Sequence, residues 1–148
     1  MKNLVKIVLC VAFLGTADCK SQNSQNDMKN EIITIINKFV IAGTERNIAA
    51  FDEILHPDFR VVVNQYPTPD KTAIIPSAGY IALMTQKKIG GTAYHTDILH
   101  LDVKKHSATV IVLLKTPKNS MQVTFLLVRN KENQWKIISD FAIQNPKV

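Results

Sequence analysis

Ile32, Ile33, Ile36, Phe39 and Val40 recur three and four positions apart among polar residues, the spacing that lays one apolar stripe along a helix. Asp27 precedes the run as an acceptor for free first-turn amides, and Gly43 follows it as a stop. A shorter second helix is expected after Asn47, with Ile48, Phe51, Ile54 and Leu55 on its buried side and Pro57 ending it. Residues 59–63 are rich in β-branched side chains and predict a first strand. Two prolines make 66–71 a loop, after which Ser77 is placed to cap a third helix carrying Tyr80, Ile81, Leu83 and Met84, broken at Gly90-Gly91.

From there the pattern changes period. Residues 93–103, 108–115 and 121–128 read as long strands, and a last strand starts at Trp135, the single tryptophan. The connections at 104–107, 116–120 and 130–134 are short and polar, so sequential antiparallel pairing satisfies the backbone most economically. Helices first and a meander last predict an α+β domain, its helices packed on one face of a strongly curved antiparallel sheet. A chain of 148 residues has room for one such core.

The first nineteen residues stand outside that pattern. Lys2 and Lys6 precede a short apolar run, too brief to span a bilayer, and Gly15, Thr16 and Ala17 follow it. Residues 1–19 therefore read as a secretory signal, 20–26 as a polar tether and 27–148 as the folded domain, which places the protein in a periplasmic or extracellular setting. Three outcomes stay open: lipidation at Cys19 as in bacterial lipoproteins, with Asp18 standing where a small residue is expected; cleavage after Ala17, releasing a soluble chain; or a retained N-terminal anchor. Cys10 lies in the apolar run, so the domain is expected to hold no disulfide and no cysteine metal site. The net charge of +6 is scattered through short pairs such as Lys87-Lys88 and Lys104-Lys105, without the basic helix or interleaved aromatics of a nucleic-acid footprint. Contact with a membrane is expected only through a lipid on Cys19.

Certain segments carry a resemblance. The first helix, the short acidic second helix with Leu55-His56-Pro57-Asp58-Phe59 after it, Asp102-Val103, Ala108-Thr109-Val110 and Trp135-Lys136-Ile137 together resemble a nuclear transport factor 2-like domain. That cystatin-like fold is shared with SnoaL-like polyketide cyclases and ketosteroid isomerase. The resemblance spans Asp27 to Asn145 and is greatest to the branch named putative lumazine-binding. It implies a cone whose mouth opens between helices and sheet, a small organic ligand, no cofactor and a homodimer formed through the sheet.

Candidate chemistry is sparse. Alternation along 93–103 puts His95 and Asp97 in one row with Leu99, Leu101 and Val103; if that row is concave, an imidazole and a carboxylate project together near the mouth. Tyr94, Thr96, Ile98, His100 and Asp102 form the other row, expected outside. Asp140 follows the tryptophan strand with ambiguous parity, and Tyr66 and Tyr80 come from segments that would roof a cone, where a tyrosine can stack on a flat ligand. His56-Pro57-Asp58 reads as a helix stop and turn rather than a metal site. Carried over without gaps, the isomerase tyrosine, base and oxyanion-hole aspartate fall at or near Phe39, Val63 and Phe125, none of which can move a proton. The leading expectation is thus a non-catalytic pocket formed by Phe39, Tyr66, Tyr80, His95, Asp97, Phe125 and Asp140. The alternatives are a SnoaL-like enzyme using His95, Asp97 or Asp140, and an interaction module with a filled cone.

Overall fold

The long first helix, α1 (Ala17–Glu45), is followed by α2 (Ile48–Ile54), β1 (Leu55–Asn64), β2 (Thr72–Pro76), α3 (Ser77–Thr85), β3 (His95–Val103), β4 (Ser107–Lys115), β5 (Ser120–Arg129) and β6 (Trp135–Gln144). The computed structural model describes residues 17–66 and 68–144; the apolar run of the expected signal lies outside them. α1 starts well before Asp27 and takes in the stretch expected as a tether, because Ser, Gln, Asn and Lys there include no glycine or proline to stop it. Nor does Gly43 end it. The helix continues to Glu45, Arg46 takes the left-handed stop at φ 56°, and the Asn47 amide closes the end on the Ala42 carbonyl at 2.9 Å. Asn47 then caps α2, its side chain accepting from the Ala50 amide at 3.2 Å. Ser77 is the first residue of α3 and not its cap; Pro76, with φ preset near the helical value, occupies that position without a side-chain bond.

One open, curved sheet runs in the order β2-β1-β6-β5-β4-β3. β3 to β6 form the expected antiparallel meander, while β1 lies parallel to β6 and brings the front of the chain into the middle of the sheet. β2 is an unexpected strand pairing antiparallel with β1; its five residues, ending in proline, offer too short an alternation to stand out in the sequence. Three register shifts interrupt the ladders. One, around Pro57, is where β1 lacks a donor; the others add Leu99 to β3 against Val112 and Ile111, and Ile138 to β6 against Leu127 and Leu126. Each extra residue bends its strand and reverses which side chains face the helices.

The helices cover the concave face. Ile32, Ile36, Phe39, Phe51, Ile54 and Met84 meet Val110, Val112, Phe125, Leu127, Trp135 and Ile137 in one continuous core. At one end the Arg129 guanidinium lies 4.9 Å from the centre of the Trp135 ring and 3.8 Å from Glu31. Phe39 is the hub, with its ring 5.0 Å from Phe125, 5.4 Å from Phe51 and 6.2 Å from both Phe59 and Tyr80.

Candidate ligand cavity

Beyond Phe39 the packing stops short and leaves a cavity of about 250 Å³ between α1, α3 and the concave sheet. Alternation supplies its walls: Val61 and Val63 from β1, Ile75 from β2, Leu114 from β4, Val123 and Phe125 from β5, with Asp140 and Ala142 from β6. Phe39 and Tyr80 roof it, and Thr44, Thr92 and Tyr94 stand with the segment leading into β3. That segment is tied down. Arg46 donates to the carbonyls of Ile89 at 3.1 Å and Gly90 at 2.7 Å, the Gly91 amide donates to Gly43 at 3.0 Å, and the Thr44 hydroxyl donates to Thr92 at 3.0 Å. Glycine is required at 90: φ is 73°, and a Cβ would sit 2.3 Å from the Met84 sulfur and 2.6 Å from the Gly43 carbonyl oxygen.

Asp140 is the one ionisable carboxyl in this lining. It shares a rung of the sheet with Val61 and Phe125, is 8% exposed, and its Oδ1 is buried without a hydrogen-bond partner. Burial raises its pKa to about 7. Burial also raises the Tyr80 hydroxyl above its ordinary value, and the nearby Asp140 charge adds to that. The inward position follows from the extra residue at Ile138: Trp135 and Ile137 face the core before it, Asp140 and Ala142 after it.

A family model described as putative lumazine-binding matches residues 27–141, most of the chain. The chain belongs to this putative lumazine-binding family. Its fold is that of the nuclear transport factor 2-like superfamily. A nuclear transport factor 2-like protein of unknown function from Silicibacter pomeroyi superposes with a TM-score of 0.70 at 14% identity, covering 82% of this chain and 98% of that one. A cystatin-like fold protein from Nostoc punctiforme gives 0.66 at 11% identity, over 81% and 92% of the two chains. A "putative ketosteroid isomerase" from Parabacteroides distasonis gives 0.57 at 21% identity, over 77% and 85%. Among curated proteins none matches the chain.

Within this lumazine-binding-family fold the expected site residues separate. Phe39, Tyr80, Phe125 and Asp140 come together on the cavity, joined by Val63. His95 and Asp97 do not, which corrects the expected concave row. The extra residue at Leu99 gives Ile98, Leu101 and Val103 the inner positions and puts His95 and Asp97 outside, against Lys115 and Leu113. There the His95 Nε2 lies 2.9 Å from Asp97 Oδ1, and Lys115 Nζ 2.5 Å from Oδ2; the Lys115 hydrogen bond foremost holds the Asp97 pKa below its ordinary value. Tyr66 is also corrected: it sits 52% exposed on the loop after β1 and does not line the cavity. Tyr94, expected outside, faces the cavity. Its signal was available only through the bulge, since an unbroken alternation from Val103 back to Tyr94 assigns it the wrong face.

Proposed function

We propose that the domain binds a small, largely apolar organic molecule in the cavity beneath Phe39 and Tyr80, with Asp140 as its polar contact. One observation carries the reading: a buried carboxyl, its Oδ1 without a partner, borders a mostly apolar hollow in which its 8% of exposed surface is open to a ligand, and a buried polar group is costly unless something supplies its partner. The family's description as putative lumazine-binding supports a small organic ligand. Isomerase chemistry of the steroid type is not supported, since Phe39, Val63 and Phe125 offer no proton to move. Proton abstraction by His95 or Asp97 fails on position, because neither lines the cavity. Asp140, with a pKa near neutrality, keeps an acid–base reading in second place.

A thermal-shift panel of lumazine, other flat heterocycles, sterols and fatty acids tests the binding reading. A ligand present at a hundred times its Kd stabilises the folded state by about 2.7 kcal/mol, readily visible as a raised Tm. Silence from every class of compound would remove the proposal.

The setting proposed for this site is an exported homodimer joined through the convex face of the sheet. A row across that face, Ile74, Val62, Phe141, Thr124 and Ile111, is mostly apolar, and Ile74 is 66% exposed, with Leu126 and Ile143 also open nearby. Native mass spectrometry of the protein from its host reads both points. The expected result is a dimer whose chains begin after Ala17 or at a lipidated Cys19; a monomer, or an uncleaved chain, would overturn the corresponding half.

A further inference from the structure

The sign of the charge inside the cavity differs from that of the chain around it. The protein carries a formal net charge of +6, yet among the described residues no lysine, arginine or histidine lines the cavity and the single carboxyl there is Asp140. That carboxyl has no cation beside it. Burial alone accounts for its perturbed titration, and its Oδ1 meets no donor. The ion pairs of the outer surface, Lys115 with Asp97 and Lys104 with Asp102, show how other acids of this chain are matched.

Aromatic rings line the same cavity. Phe125 lies directly beside Asp140 on the neighbouring strand, Phe39 packs 5.0 Å from Phe125, and Tyr80 stacks on Phe39 at an interplanar angle of 15°. Ring faces attract a cation, and the attraction grows when water is excluded. A negatively charged ligand would meet Asp140 with no compensating group in the lining. At pH 8, where the carboxyl is ionised, a neutral one would leave it without a counter-charge.

We infer that the ligand of this cavity is an organic cation, an amine or quaternary ammonium on an apolar body, with its positive nitrogen held by Asp140 beside the rings of Phe39 and Tyr80. The apolar walls, Val61, Val63, Ile75 and Val123, take the body. The volume of about 250 Å³ is enough for one ring and a short substituent. This inference rests on the binding reading above and narrows it to one charge class.

A matched pair of probes separates the two. Benzyltrimethylammonium and its neutral carbon isostere, neopentylbenzene, have nearly the same shape and differ in the charge on one atom. Titrated into the protein at pH 8 and followed through the methyl NMR signals of Met84 and Met121, the cation is expected to bind at least about tenfold more tightly, a difference of about 1.4 kcal/mol. In Asp140→Asn the preference is expected to vanish while the neutral probe still binds. Equal or tighter binding of neopentylbenzene to the unaltered protein would overturn the charge assignment and leave the cavity as a ligand site. Failure of both probes and of the wider thermal-shift panel would overturn both readings. If the variant does not fold, the comparison of the two probes on the unaltered protein decides alone.

Discussion

Asp140→Asn makes the protein more stable by about 4 kcal/mol at pH 8 and by only about 1–2 kcal/mol at pH 5. In the folded chain the carboxyl titrates near pH 7 because burial opposes its charge, whereas a solvated aspartate titrates near 4. Between those values the native state holds a proton that the unfolded state has lost. Stability therefore falls as pH rises from about 4 to about 7 and stays at the lower level beyond. The gap corresponds to about 4 kcal/mol at its fullest, a large share of the 5–15 kcal/mol that holds a typical domain together. Asparagine has no proton to lose and leaves its amide as poorly matched as the neutral acid, so the decline disappears in the variant. Tyr80 does not blur the comparison, since burial and the neighbouring charge keep its hydroxyl protonated throughout. Urea unfolding of both proteins at pH 5 and pH 8 measures the effect. Parallel curves, with the same difference at both pH values, would show that Asp140 is solvated.

Phe39→Ala is expected to cost about 3–5 kcal/mol, the range for emptying a buried aromatic site. Phe39 is 6% exposed and touches four other rings from three different directions, so its loss uncouples α1 from α2, α3 and the sheet together. Its neighbours cannot close the gap easily: one side already borders the cavity, and the rigid strands beneath hold Phe59 and Phe125 in place. Phe39→Leu retains much of the apolar surface and should lose clearly less. The shift in urea midpoint at constant m-value reads the difference; a loss below about 1 kcal/mol for the alanine variant would mean the ring is not central to packing.

Much of this architecture was legible in the chain because helix and strand leave different periods. The stripe from Ile32 to Val40, the Asn47 cap, the three polar turns and the tryptophan strand all correspond to observed elements. Failures arose where a local rule was outweighed. Gly43 reads as a stop yet lies inside α1, where its carbonyl receives the Gly91 amide. β2 gains its ladder from β1, a contact no local window contains. The site was half legible: Phe39 and Phe125 came from positions the resemblance carries over and Tyr80 from its place in a roofing helix, whereas Tyr66 lies on an exposed loop and His95, Asp97 and Tyr94 lie beyond the extra residue at Leu99. Asp140 lies beyond another, which explains why its facing was ambiguous in the sequence and unambiguous once the ladder with β5 is known.

The two added residues, Leu99 and Ile138, act as phase shifters between a framework and its chemistry. Losing one codon at either place would leave the apolar scaffold on one side of the break intact and turn over every side chain on the other, moving Asp140 outward in the one case and Asp97 inward in the other. Length change, rather than substitution, is thus a direct route by which a cone of this kind can acquire or discard a charged interior.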